Sequence, residues 1–486
     1  MIAVLLILIP LLGGFLLFAV KDEKTAKGIA LLAATAVAAV SVAGLTVMNN
    51  RASLNMDLEW LPMLNSRFHI GLDGMGQMLC LLTAVSFPLI FVATWHNTYK
   101  DAHRFYAFML LSQAGLMGVF LAMDALLFYF FWELALIPVY FLSSIWGGEK
   151  RVAATFKFFI YTFVGSLLML VGIIFIYFKA HQSFDLQSWY NLKLYPDTQN
   201  GLFWLMFIAF AIKMPVWPLH TWQPDAYEQS PTAVTMVMSG VMVKMGVFAV
   251  IRWLAPVVPD GFYLWGDTVS LLCITGIIYA SLIAMRQDDL KRLIAYSSIA
   301  HMGLMCMALF ASDKSGMQGV MFQMFSHGIN IIGLWMVADA IEQKYGTRKM
   351  SALGGLATKD PALAILLVVV ALANVALPLT NGFVGEFMMF NGIFSSAVTK
   401  YGVVDMAAAG VGIILSAVYT LTMIKKIFYG EGSKLTASGR PVAGTVLFSL
   451  AVIVGMIFVF GIYPKPMLQL TSDTVNSILK YMKTSI

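Results

Sequence analysis

Six side chains in this sequence pair proton-carrying chemistry with strongly apolar surroundings. Glu133 lies in FYFFWELALIPVYFL, Lys213 in FAIKMPVWPL and Lys244 in MVMSGVMVKMGVFAV. His301 lies in AYSSIAHMG, His327 in MFSHGINIIGLW and Glu386 in NGFVGEFMMF. A carboxylate, an amine and an imidazole can each take up and release a hydrogen ion. Burial lets a lysine give up its proton readily, and histidine does so near neutral pH without help. Lysine is a poor ligand for a metal cation. The three cysteines, Cys80, Cys273 and Cys306, stand in no metal-type spacing and read as small apolar packers. The cargo that suits acid, amine, imidazole and acid together is the proton, and no metal or cofactor site is expected in this chain.

Each competing structural reading has a physical basis. Glu133 and Lys213 could form a buried ion pair, since opposite charges in low dielectric hold each other ionised. Weakening that pair would push a proton toward Lys244, which has too much apolar chain on both sides to reach water. His301 and His327, taken singly, suit hydrogen-bonded packing as well as relay. Lys157 is placed to snorkel, Arg252 and His220 lie near segment ends, and Asp124 reads as an ordinary helix N-cap. Charges near a bilayer centre cost about 2.5–3.5 kcal/mol apiece on insertion scales. Four of them exceed what packing requires.

The elements that must position these groups follow from composition. The chain has 486 residues, 60% hydrophobic and 12% charged, against about 25% charged in a soluble domain. It is an all-α polytopic membrane protein, and the lack of basic runs with interleaved aromatics argues against nucleic-acid binding. Taking about 20 apolar residues per crossing, fourteen spans are expected. They cover roughly 2–20, 28–48, 75–95, 105–123, 125–146, 154–178, 201–222, 232–254, 264–285, 292–311, 317–341, 361–395, 404–428 and 442–463. The first lacks a basic leader and a small-residue cleavage site, so it reads as a retained span. The tail beyond Tyr463 has helical apolar spacing and is expected along the membrane surface.

Two spans carry interruptions. Pro215 and Pro218 break the seventh just after Lys213, and LPLTNG, with Pro378 and Gly382, breaks the overlong twelfth just before Glu386. Non-helical backbone at membrane depth is tolerated only inside protein or beside a wet cavity. The breaks lie five spans apart, an odd number, so the two units point opposite ways. That is the pattern of inverted repeats whose interrupted helices mark a transport site. The expected organisation is helices 1–3 over 1–103, a first repeat over 104–255, a second over 256–430, and a last helix with an amphipathic tail over 431–486. Loops after the odd-numbered spans carry twice the Lys and Arg of the others plus the tail. The positive-inside bias then puts those loops in the cytoplasm and both termini in the periplasm.

These segments, with WQPDAYEQSPTAVTMVMSG and QDDLKRLIAYSSIAHMG, resemble the proton-pumping antiporter-like subunits of respiratory complex I, the NADH:quinone oxidoreductase, over essentially the whole chain. The resemblance implies a fourteen-helix core with two inverted five-helix repeats and discontinuous helices 7 and 12. It also implies the proton-relay roles of Glu133, Lys213, Lys244, His301, His327 and Glu386. The L and N branches and the related cation/proton antiporter subunits usually present lysine where Glu386 stands, and one further branch presents G-E-F. Many relatives carry glycine in place of Leu379 or Thr380, which leaves the geometry of the second break open. The implied setting is the bacterial cytoplasmic (inner) membrane, with L- and N-type and small membrane-arm subunits as partners. NADH, FMN, iron–sulfur clusters and quinone would belong to partner subunits. Alternatives are a cation/proton antiporter subunit, a related hydrogenase or photosynthetic complex, or a haem scaffold using His301 and His327.

Overall fold

The computed structural model describes residues 1–46, 54–437 and 442–483. Arg51 and Arg440, which enter the charge bias above, lie outside these. The chain begins with α1 (Ile2–Leu17) and α2 (Glu23–Thr46), followed by a β-hairpin of β1 (Met56–Leu61) and β2 (Ser66–Ile70). Then come α3 (Gly74–Ala93), α4 (Ala102–Leu121), α5 (Ala125–Trp146), α6 (Arg151–Lys179), α7 (Pro196–Lys213), α8 (Trp222–Gln229) and α9 (Thr232–Leu254). The second half holds α10 (Pro259–Arg286), α11 (Leu290–Phe310), α12 (Lys314–Tyr345), α13 (Pro361–Asn374), α14 (Asn381–Phe394), α15 (Gly402–Phe428) and α16 (Gly444–Ile462). The last helix is α17 (Lys465–Lys483).

Among the described residues, eleven helices are long and apolar enough to cross a membrane. The remaining expected spans are α1, with 16 residues, and the two interrupted pairs α7/α8 and α13/α14. Where the helices begin is written in the sequence. Asp73, Asp124, Asp289 and Asp313 open α3, α5, α11 and α12, each accepting hydrogen bonds from free first-turn N–H groups. For Asp124, Oδ1 accepts from the N–H groups of Leu126 and Leu127, both at 3.0 Å. The expected N-cap is what the structure holds.

Two features depart from the sequence reading. The hairpin, paired antiparallel from Met56↔Ile70 to Leu61↔Ser66, is an exception to an all-helical chain. Its alternating, half-polar residues are too few to register against the long apolar runs. The tail helix α17 does not simply lie on a bilayer. It buries Met467, Thr471, Val475, Ile478 and Met482 against α3 and α12. At Gly74 the contact is so close that a Cβ would stand 1.7 Å from the Leu470 carbonyl oxygen.

The helices sort by enclosure. The apolar stretches of α9 and α12 are buried throughout and that of α11 to 94%, whereas only 28% of α2 or α16 is covered. Lys244, His301 and His327 sit on the three enclosed helices.

Candidate proton pathway

At the first break α7 ends with Lys213. Val216 N–H reaches back to the Ala211 carbonyl at 2.9 Å, and the Trp222 indole N–H caps the Ile212 carbonyl at 3.0 Å. The Trp217–Pro218 peptide is cis. At the second break α13 ends at Asn374, and Leu379 has φ +74°. This is the left-handed region, which costs an L-residue roughly 1–2 kcal/mol and which glycine enters freely. Here a leucine bears that strain. Both Pro215–Pro218 and Pro378–Gly382 fall where the sequence places the interruptions.

The structure joins four of the six expected groups into one string. Lys244 Nζ donates to the Ser239 carbonyl at 2.6 Å and lies 2.8 Å from Nδ1 of His327. The rings of His327 and His301 are 5.2 Å apart between centroids. His301 Nε2 lies 3.5 Å from Glu386 Oε1, which the Gln323 amide also meets at 3.5 Å. All four groups are buried.

Local backbone explains the aim of Lys244. Residues Met238–Met242 form a π-helical turn, with Val243 N–H bonded to the Met238 carbonyl five residues back. Such widened turns recur at functional sites. Here the widened turn lies immediately before Lys244, whose ammonium bonds back to a carbonyl within it.

His301 is framed by carbonyls. Nδ1 lies 2.8 Å from the Ser297 oxygen and Nε2 lies 2.8 Å from the Asn374 oxygen at the end of α13. A neutral imidazole has one N–H and can serve one of them; the doubly protonated ring serves both. Ser297 Oγ in turn receives Asn374 Nδ2 at 3.2 Å and the Tyr419 hydroxyl at 3.0 Å. A cavity of about 20 Å³, lined chiefly by apolar groups, has His301, Glu386, Ser416 and Tyr419 on its wall. That is room for one water molecule.

Glu133 and Lys213 lie outside the string. They are within electrostatic reach of each other, but no ion pair within 4 Å joins them among the described residues, and Glu133 Oε1 and Lys213 Nζ are both without a hydrogen-bond partner there. The buried ion pair that stood as the competing structural reading is not made. The ammonium of Lys213 instead lies 5.5 Å from the Trp132 ring and 5.9 Å from that of Phe158, in cation–π range. Glu133, one residue beyond Trp132, is half-buried, and Ser166 of α6 is its polar neighbour.

Arg252 and His220, left undecided by sequence, and Lys157, read as snorkelling, now have neighbours. Arg252 Nη2 holds both oxygens of Asp73 at 2.7 and 2.8 Å. Lys157 pairs with Asp225 of α8 at 2.8 Å, so it is tied to the broken helix and does not simply snorkel. His220 stacks edge-on to Tyr279 at 5.4 Å. Sequence reasoning missed Ser297, Gln323, Asn374 and Tyr419. Their signal was present as polar residues inside apolar runs, but such residues are common enough in membrane helices to pass unremarked.

Comparisons with known proteins show the family. Residues 122–413 match the family model described as NADH:quinone oxidoreductase/Mrp antiporter, TM. The NADH-quinone oxidoreductase subunit M of Rhodobacter capsulatus is 36% identical over 94% of this chain and 91% of its own. The F(420)H(2) dehydrogenase subunit M of Methanosarcina mazei is 33% identical over 98% of each. Among solved structures, a chain of respiratory complex I from Thermus thermophilus with bound NADH superposes with a TM-score of 0.92 at 27% identity. It covers 99% of this chain and 100% of its own.

Proposed function

Because this chain belongs to the NADH:quinone oxidoreductase/Mrp antiporter family of transmembrane subunits, we propose that its buried Lys244–His327–His301–Glu386 string is the path of the protons it moves. The chain is an antiporter-like, multi-pass membrane subunit of the M type. It assembles with other membrane-arm subunits as part of an oxidoreductase complex and translocates protons. The reading of the path rests on one observation: four buried titratable groups from α9, α12, α11 and α14 lie next to one another, in contact at each step except between the two histidine rings, whose centroids are 5.2 Å apart.

The chemistry is a hand-over. Lys244 gives its proton to Nδ1 of His327, and the ring releases another from Nε2, an atom without a partner among the described residues. His301 accepts it, and Glu386 receives it next, with the adjoining cavity supplying the bridge. Glu133 and Lys213 set the charge beside the first break and bias the occupancy of Lys244. The direction is from cytoplasm to periplasm across the bacterial inner membrane, with both termini periplasmic. The chain acts as a translocase component and holds no redox centre. NADH, FMN, iron–sulfur clusters and quinone reside in partner subunits, so the driving energy arrives from outside this chain. The likeness to an F(420)H(2) dehydrogenase subunit favours a module that accepts more than one electron donor in its complex.

The test is Lys244→Met in the assembled complex, with proton uptake by inverted membrane vesicles measured against electron transfer. The expected result is a loss of proton movement of about 10²-fold or more, as for other positioned proton-transfer groups. Wild-type protons per electron in that variant would overturn the reading.

A further inference from the structure

One carboxylate outside the string is built into a cavity of its own. A cavity of about 350 Å³ lies where the loops after α3, α5, α8 and α12 converge, and its lining includes Asn97, Thr232, Lys291, Asp339, Glu342 and Arg348. Most charges around it are consumed in ion pairs. Glu228 is held by Arg292 at 2.7 Å and Arg348 at 3.0 Å, and Glu342 is held by Lys291 at 2.6 Å. Arg348 also pairs with Asp289 at 2.9 Å, and Arg292 with Asp225 at 3.2 Å.

Asp339 is different. It is buried, lies on α12, and has no ion-pair partner within 4 Å among the described residues. The groups that hydrogen-bond it are neutral: Asn97 Nδ2 donates to Oδ2 at 3.0 Å, and the Thr232 side chain is beside it, while Lys291 and Glu342, paired with each other, act on it only from beyond ion-pair distance. A buried carboxylate held by neutral donors costs more than a paired one, and ion pairing elsewhere in the cavity shows that cations were at hand.

The position is in register with the string. Thr232 begins α9 twelve residues before Lys244, and Asp339 lies on α12 twelve residues after His327. At 1.5 Å per residue both helices lead from the cavity to the Lys244–His327 contact in about 18 Å. Along that stretch stand buried polar atoms without a partner among the described residues: the Tyr227 hydroxyl, the Trp335 indole N–H and Asn330 Oδ1. The rings of Tyr227 and Trp335 are themselves in contact, at 5.9 Å. Buried polar atoms of this kind are ordinarily satisfied by water.

We infer that Asp339 is the carboxylate through which this chain takes up protons, with the cavity as its vestibule and the α9–α12 seam as its route to Lys244. A hydronium ion in the cavity gives its proton to Asp339 and remains as water. The acid returns to carboxylate as a proton passes along water and side-chain hydroxyls to the free amine of Lys244. This rests on the reading of Lys244 given above.

Two substitutions in the full complex separate a proton carrier from a structural carboxylate. Asp339→Asn keeps the shape and hydrogen bonding but cannot ionise; Asp339→Glu ionises but fits less well. Proton uptake by inverted vesicles, normalised to the complex present in the membrane, is expected to fall about tenfold or more in Asp339→Asn and to persist in Asp339→Glu. Normal pumping with Asn, or loss with Glu, overturns the inference. If Asp339→Asn does not assemble, the Glu variant decides alone, and failure of both to assemble marks the site as structural. Lys244→Met run in parallel separates the two readings. A normal Asp339→Asn beside a defective Lys244→Met sinks only the uptake role, whereas normal pumping by Lys244→Met sinks the path itself.

Discussion

The ammonium of Lys244 and Nδ1 of His327 lie 2.8 Å apart, joining α9 to α12 at the centre of the most enclosed part of the protein. A lysine this deep has two ways to be stable: as an ammonium with acceptors or as a free amine beside a donor. The contact offers both, because the imidazole can accept through Nδ1 or carry the proton itself.

His327→Ala is therefore expected to cut proton translocation by about 10²-fold while the complex still assembles. His327→Gln, which keeps an acceptor for Lys244 but cannot pass a proton through, is expected to be as defective as alanine. Inverted vesicles report both, and recovery of pumping in the glutamine variant would reduce His327 to a hydrogen-bond acceptor.

The Arg252–Asp73 pair is asymmetric, with the arginine side chain 4% exposed and the aspartate 31%. Asp73→Asn preserves an N-cap for α3 but leaves a guanidinium buried alone, at a cost of about 3–4 kcal/mol. Arg252→Met leaves a carboxylate that water can reach and that still caps α3, so about 1–2 kcal/mol is expected. Thermal unfolding of the solubilised complex should rank them in that order.

Gly74→Ala forces a methyl group into the Leu470 carbonyl, and neither is the end of a flexible side chain. The tail helix must shift, at about 1–3 kcal/mol. Faster tryptic cleavage at Lys480 in the Gly74→Ala protein is the expected outcome, and unchanged cleavage would mean that the backbone yields elsewhere.

The hairpin is tied down by His69, whose Nδ1 lies 3.3 Å from Asp185 Oδ1. The hydrogen bond to Asp185 raises the His69 pKa above its ordinary value. Burial opposes ionisation of Asp185, but the bonds from His69 and the Ser188 N–H outweigh it, and its pKa is lowered. The histidine's contribution is thus complete below the ordinary imidazole pKa and lost as pH rises through the raised one. The aspartate's contribution is complete above the ordinary carboxylate pKa and lost in stronger acid. Amide protection in residues 56–70, taken relative to the intrinsic base-catalysed rate, should fall as pH climbs through the raised imidazole pKa, and His69→Gln should flatten that dependence.

Much of this architecture was legible beforehand because bilayer physics leaves few options. Apolar length fixed the helices, aspartates fixed several of their starts, and prolines fixed both interruptions. The six titratable groups were found because charge is rare in such segments. What sequence could not show was mutual distance. Glu133 and Lys213 look like partners in a one-dimensional reading, yet the Trp132 and Phe158 rings receive the lysine. Asp339 fell inside an expected span and deserved the suspicion given to Glu386. It stands two residues from the end of that expected span with no motif around it, and only the converging loops reveal the cavity beside it.

The two π-helical turns of α9, at Met238–Met242 and Val250–Leu254, each carry one residue more than an α-helical turn would. The first therefore marks where α9 can change its count. Deleting one residue from it would close the wide turn to an α-helical one and leave the helix beyond nearly in phase, so Lys244 would still face His327. The same deletion from an ordinary α-helical turn would swing everything beyond by about 100°.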